Sequence, residues 1–234
     1  MTRIYANCKQ AINEIKRNIY EMGIDVWPDS YQNKKIGDDE NYSTKELQAE
    51  TFTILDSNDK DDIVGKDLDW CKEEFQERVS RQENNPGEAW KLRYKTWKQF
   101  QDKDGKQDYT YSDRMKEQID KVIAELKRNP DSRQAIIEIH NNEKDIDSMG
   151  GKKRIPCSMF YQLMIRTDGN GTKKLNIIYV MRSTDFYTHF KNDIWLACEL
   201  RDYIAKEVLI KPGTFTMFAS SLHMYKKDWE KGVY

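Results

Sequence analysis

The chain has 234 residues, with 39 Lys plus Arg against 40 Asp plus Glu, a net charge of −1, and 38% apolar against 34% charged residues. That balance argues against a nucleic-acid coat or a polybasic membrane anchor, and the longest apolar runs, 177–181 and 194–198, have five residues where a spanning helix needs ~20. Six Trp, 13 Tyr and 8 Phe predict a folded, soluble protein with a heavily charged surface, because chains that stay disordered carry few large rings.

In chain order, Ile4, Cys8, Ala11, Ile12, Ile15 and Ile19 share one helical face, which predicts a helix over 3–22. Residues 24–44 are polar, carry Pro28 and Gly37, and read as a loop. A strand is expected over 46–55 and a helix over 62–79 with Trp70 and Phe75 inward. Residues 80–108 are charged and irregular, with turn signals at Pro86-Gly87 and Asp104-Gly105. A helix over 111–128 carries the stripe Met115, Ile119, Val122, Ile123, Leu126 and stops at Asn129-Pro130.

The character then changes. Segments 134–140, 157–166 and 174–183 are short and rich in β-branched and aromatic residues, and Asp168-Gly169-Asn170-Gly171 is a hairpin signal between the last two. A helix follows over 190–208 and a strand over 214–226. A helical front half and a strand-rich back half predict one α+β domain over 1–234, with helices covering one face of a sheet.

The four cysteines, Cys8, Cys71, Cys157 and Cys198, form no CxxC pair. This usage fits reduced thiols in a cytoplasm better than a disulfide framework. With only three histidines beside them, no metal site is expected. The N-terminus MTRIYANCKQ has no apolar signal core.

Three stretches gather polar groups where a plain core would not. Pro156-Cys157-Ser158 opens an apolar strand; a lone cysteine there is ordinarily a small buried hydrophobe. Arg182-Ser183-Thr184-Asp185 ends a strand, and His189-Phe190-Lys191-Asn192-Asp193 enters a helix. An arginine and a serine beside a helix start can hold an anion, or can form a surface ion pair and a cap. His223 and Tyr225 alternate on the last strand and so face the same way.

Taken together and in this order, the motifs resemble the thymidylate synthase superfamily, most clearly over 129–226. The resemblance runs from Asn129-Pro130-Asp131-Ser132-Arg133 through Pro156-Cys157 and Arg182-Ser183-Thr184-Asp185 to Ser221-Leu222-His223-Met224-Tyr225; Asp67-Leu68-Asp69-Trp70 matches the front half more weakly. It implies a mixed sheet covered by helices, with a sheet face used for homodimerisation. It also implies a pyrimidine nucleotide monophosphate as substrate and 5,10-methylenetetrahydrofolate as co-substrate. Cys157 resembles the nucleophile that adds to pyrimidine C6, while Arg182 and Ser183 resemble phosphate ligands. Arg133 resembles the arginine that enters the neighbouring subunit's site. Asp185 resembles the pterin-binding aspartate, and His223 and Tyr225 the pair on the sugar 3′-hydroxyl. Thiolate addition at C6 makes C5 nucleophilic, and nearby arginines favour the thiolate.

Asp193 stands where thymidylate synthases carry the asparagine that reads uracil. A carboxylate accepts from the cytosine amino group and stabilises a protonated N3, but has no donor for O4 of uracil. A mismatch there costs about 1–3 kcal/mol per buried group. In this the chain is similar to bacteriophage deoxycytidylate hydroxymethylases, which add a hydroxymethyl group at C5 of dCMP, and to relatives acting on CMP. Asn192 could instead read the base if the register shifts by one, and a carboxylate at a helix start is also favoured by the helix dipole.

Other positions depart from the family. Asp67 replaces a catalytic glutamate, with Asp69 as the alternative carboxylate, and Tyr94 takes the place of a family tyrosine. Gln134 replaces a second phosphate arginine, Ser158 a histidine, and His189 a glycine. Lys34 and Lys35 are candidates for an extra phosphate contact or are plain solvated charges. The expected activity is C5-hydroxymethylation of dCMP or CMP. The alternatives are a thymidylate synthase or cytidylate methylase, and a nucleotide-binding relative that has lost catalysis.

Overall fold

A computed structural model describes residues 2–28, 30–31, 34–35, 39–148 and 153–229, with the backbone alone at 30, 31, 34 and 35. Lys34 and Lys35 therefore have no described side chains, and the phosphate contact considered for them lies outside the described residues.

In chain order the elements begin with β1 (Arg3–Tyr5), α1 (Cys8–Met22), β2 (Ile24–Val26), β3 (Ser30–Tyr31), β4 (Lys34–Lys35) and β5 (Thr44–Ile54). Next come α2 (Lys60–Val64), α3 (Leu68–Val79), α4 (Tyr94–Trp97), α5 (Tyr111–Met115), α6 (Ile119–Arg128), β6 (Ile136–Glu138) and α7 (Asn142–Asp145). The chain continues with β7 (Ser158–Thr167), β8 (Lys173–Met181), β9 (Thr184–Asp185), α8 (Lys191–Glu207) and β10 (Lys211–Tyr225). The main sheet runs β1-β5-β10-β8-β7-β6, with β2 added on β5 and β9 on β10. It is mixed: β10 is parallel to β8 and antiparallel to β5.

Period-two alternation gives the sheet two different faces. Phe52, Ile54, Tyr161, Leu163, Ile177, Tyr179, Phe215 and Met217 are buried under α1, which packs on β5, and α8, which packs on β8 and β10. Residues in between, among them Phe160, Met164, Ile178, Val180 and Phe218, are half-exposed on the other face. This is the mixed α+β architecture of the thymidylate synthase-like fold.

Several boundaries differ from the sequence reading for local reasons. The first helix starts at Cys8, not residue 3, because Asn7 caps it by accepting from Gln10 N at 2.9 Å while Gln10 Oε1 accepts from Ala6 N at 2.7 Å. Arg3–Tyr5 instead pairs in parallel with Phe52–Ile54. The expected loop over 24–44 contains β2, which pairs with Thr44–Glu46. The expected 62–79 helix breaks at Gly65, whose φ of 52° suits glycine, so Asp67 sits at the head of a new helix. The 111–128 helix breaks because Gln118 turns to β6: its Oε1 accepts from Glu138 N at 2.8 Å and its Nε2 donates to Glu138 O at 2.7 Å. A π-helical turn, Phe186–Phe190, precedes α8.

Candidate active site

The polar stretches from distant parts of the chain meet at one end of the sheet. Antiparallel pairing sets Ser158 of β7 opposite Met181 of β8, so Cys157 and Arg182 lie side by side, with Arg182 N donating to Cys157 O at 2.9 Å. The Arg182 guanidinium closes back on the same strand end, Nε to Pro156 O at 2.9 Å and Nη2 to Ile155 O at 3.1 Å. Ser183 is half-exposed next to it. Parallel pairing of β9 with β10 sets His223 beside Asp185. The His223 ring meets Tyr225 edge-on at 5.3 Å, and its Nδ1 is 3.2 Å from Ser221 Oγ.

Burial pushes the Cys157 thiol up, against the pull of the Arg182 and Arg154 guanidiniums. Burial also pushes the Asp193 carboxyl up to about 7, against a hydrogen bond from Thr184 and the charges of Arg78 and Arg93. Cys157 and Asp193 lie within each other's electrostatic reach. Burial lowers His223, opposed first by Asp185. His189 falls to about 3 through burial and then Arg93 and Arg154, so it is a neutral wall residue, its ring 5.7 Å from that of Trp97.

Asp67 at the head of α3 accepts from Asn192 Nδ2 at 3.1 Å and lies 3.7 Å from Arg93 Nε, whereas Asp69 is exposed. Asn192 is buried on α8, so its amide faces Asp67. Asp185 spends Oδ1 on the backbone N–H groups of Tyr187 and Thr188, at 3.0 and 3.4 Å. Arg133 is exposed, as is Gln134.

Tyr94 is not brought in. It is 53% exposed and its ring lies against Trp90 at 5.5 Å. The phenol in electrostatic contact with Cys157 is the half-buried Tyr109, which desolvation pushes up to about 12 with Arg154 opposing. The sequence reading missed Tyr109, Arg93 and Arg154. Tyrosines spaced by two before a helix, Tyr109 and Tyr111, are a weak signal for the first; nothing in the sequence marks the other two.

Ser158 is fully buried and joins two phenols: its Oγ is 2.8 Å from Tyr111 Oη and is also bonded to Tyr179 Oη. Tyr161 stacks on Tyr179 at 4.3 Å. Arg78 lies 3.7 Å over the Tyr111 ring and donates to Glu74 at 2.9 Å. Trp70, Trp90, Trp97, Tyr109 and Tyr111 line an adjoining aromatic cleft.

Strand order, helix cover and the meeting of these motifs define a thymidylate synthase-like α+β protein. The model of the thymidylate synthase family matches residues 36–232, and the chain belongs to that family. It is 33% identical over 129 residues to a Methanosarcina barkeri protein named "Putative thymidylate synthase", covering 53% of this chain and 55% of that one. A Methanocaldococcus jannaschii protein of the same name is 34% identical over 119 residues, 50% of this chain and 51% of the other. A Rhodopseudomonas palustris thymidylate synthase is 27% identical over 159 residues, 66% of this chain and 47% of its own. The chain spans about half the length of these curated relatives. No helix among the described residues is long and apolar enough to cross a membrane, and none of them cluster as a metal site.

Proposed function

We propose that the protein transfers a one-carbon unit to C5 of a cytosine nucleotide monophosphate, dCMP or CMP, with water as second reactant, leaving a hydroxymethyl group. The observation that supports this reading is a carboxyl at position 193, held by a 2.8 Å hydrogen bond from Thr184 Oγ1 and pushed by burial to a pKa of about 7. A neutral carboxyl donates its proton to cytosine N3 and accepts from the amino group. Uracil offers only the much less basic O4 to that proton. N3 protonation also draws electrons from C6, where Cys157 adds as thiolate.

The other roles follow the chemistry of the groups. Arg182 and Ser183, with Arg133 from a second copy, bind phosphate. His223 and Tyr225 bond the sugar. Tyr109, rather than the exposed Tyr94, and Asp67 handle protons at C5. Methylenetetrahydrofolate supplies the carbon at the oxidation level of formaldehyde. The aromatic cleft of Trp70, Trp97 and Tyr109 suits a flat pterin, and the unpaired, buried Nε1 atoms of Trp70 and Trp97 offer it donors; the remaining oxygen of Asp185 is a further acceptor. Residues 1–234 act as one catalytic domain, in a homodimer closed through the half-exposed sheet face of Phe160, Ile178 and Phe218. Free cysteines, all four of them, suit a cytoplasmic enzyme.

The test is release of C5 tritium from dCMP, CMP and dUMP side by side, with and without methylenetetrahydrofolate, and identification of the product. Release from dUMP alone overturns the reading. The names of the relatives favour a second reading, reductive methylation of dUMP, and a rise in absorbance from dihydrofolate during turnover would identify it.

A further inference from the structure

Three polar side chains of β5 and β10 form a short chain of hydrogen bonds. Antiparallel pairing sets His223 opposite Glu46 and Ser221 opposite Gln48. Ser221 Oγ donates to Glu46 Oε2 at 2.5 Å, and the same hydroxyl oxygen lies 3.2 Å from His223 Nδ1. Gln48 Nε2 donates to the other Glu46 oxygen at 3.1 Å, which holds the carboxylate in place.

These contacts decide where the ring proton sits. A serine hydroxyl has one proton and two lone pairs, and an ionised carboxylate has no proton to give. The proton between Ser221 and Glu46 is therefore the serine's. Ser221 Oγ can then only accept from the ring, which puts the ring proton on Nδ1. Burial disfavours a second proton there, with Arg182 in support and Asp185 and Glu46 opposing. The neutral ring presents Nε2 as a bare lone pair. Among the described residues no group is hydrogen-bonded to that nitrogen. Asp185, its neighbour on β9, uses Oδ1 for the N–H groups of Tyr187 and Thr188 and makes no hydrogen bond to the ring.

We propose that Glu46 and Ser221 are positioning residues that fix the tautomer of His223, so that the site takes a sugar hydroxyl that donates to Nε2 and rejects a nucleotide that offers only an acceptor there. The choice of ligand group rests on the assignment of His223 and Tyr225 to the sugar in the reading above; the tautomer does not. The hydroxyl proton points to His223, and the hydroxyl oxygen is left to accept from Tyr225 Oη. Glu46 and Ser221 act through the ring.

Two measurements test this. The chain has three histidines, His140, His189 and His223, so comparison with His223→Gln assigns the His223 ring in nitrogen–proton correlation spectra of the nucleotide-free protein at neutral pH. The wild-type ring is expected to carry its proton on Nδ1. Ser221→Ala should move the proton to Nε2, and Ser221→Thr, which keeps the hydroxyl, should leave it on Nδ1. A wild-type ring protonated on Nε2 overturns the proposal. The second measurement compares binding of dCMP or CMP with binding of the matching 3′-fluoro nucleotide, which has an acceptor and no proton. The wild type is expected to favour the hydroxyl about 10-fold or more. Ser221→Ala should bring that ratio within about threefold, and Ser221→Thr should retain it. Equal binding of the two ligands by the wild type overturns the donor requirement. A ratio unchanged in Ser221→Ala overturns the relay, because a merely structural loss weakens both ligands together. If the wild type binds neither dCMP, CMP nor dUMP, the functional reading fails, and the spectra alone decide the tautomer.

Discussion

Thr184 Oγ1 donates a 2.8 Å hydrogen bond to Asp193 Oδ2. Thr184 is 3% exposed on β9, so the bond is sheltered from water. With Oδ2 already an acceptor, the proton that burial keeps on the carboxyl resides on Oδ1, which donates to N3, while the second lone pair of Oδ2 is left to accept from the amino group. We predict that Asp193→Asn shifts base preference from cytosine toward uracil by at least about 10-fold in kcat/KM, because each mispaired buried group costs about 1–3 kcal/mol. Competition between dCMP and dUMP measures it; an unchanged ratio would remove Asp193 from base recognition.

The same proton sets a pH dependence. Asp193 is protonated below about 7, so kcat/KM for a cytosine nucleotide should fall as pH rises through that value. The falling limb should be absent from Asp193→Asn acting on dUMP. A wild-type profile that keeps rising from pH 6 to 9 contradicts the assignment.

Stability should follow the sign of the shift. The Asp193 carboxyl titrates near 3.8 when unfolded and about 7 when folded. Between those values the unfolded chain has lost a proton that the folded protein retains, so rising pH destabilises the fold through this group. The gain in Tm from Asp193→Asn should therefore grow from pH 4 to 7 and level off above it. Thermal melts across that range in the absence of nucleotide are the check, and a gain that shrinks with pH refutes the burial argument.

Tyr109 and Tyr94 give a paired prediction. Tyr109→Phe should reduce kcat about 100-fold, the lower end of what a positioned proton-transfer group contributes. Tyr94→Phe, at an exposed ring, should stay within about threefold of wild type. Steady-state kinetics of the two variants decides between them.

Shared sites predict complementation. Cys157→Ala and Arg133→Ala proteins should each be nearly inactive, and mixing them after subunit exchange should restore about a quarter of wild-type sites. Failure to recover activity despite demonstrated exchange would place Arg133 outside the partner's site.

Much of this was written locally in the chain. Alternation gave the long strands β5, β7, β8 and β10, and the buried stripe Ile119, Val122, Ile123, Leu126 gave α6, because burial of one face follows from a period of two or 3.6. The motif order alone places Cys157, Arg182 and His223 in one family pattern and marks Asp193 as a departure from it. What only the tertiary structure decided were relations between segments far apart: that Asp67 and not Asp69 meets Asn192 across 125 positions, that Tyr109 and not Tyr94 stands by the thiol, and that Arg93 arrives at all. Those contacts depend on where Gly65 breaks a helix and where Gln118 ties one to a strand, and such breaks are settled by long-range hydrogen bonds that no local period encodes. The charge state of Asp193 is likewise a property of its burial, which packing creates and the residue name does not.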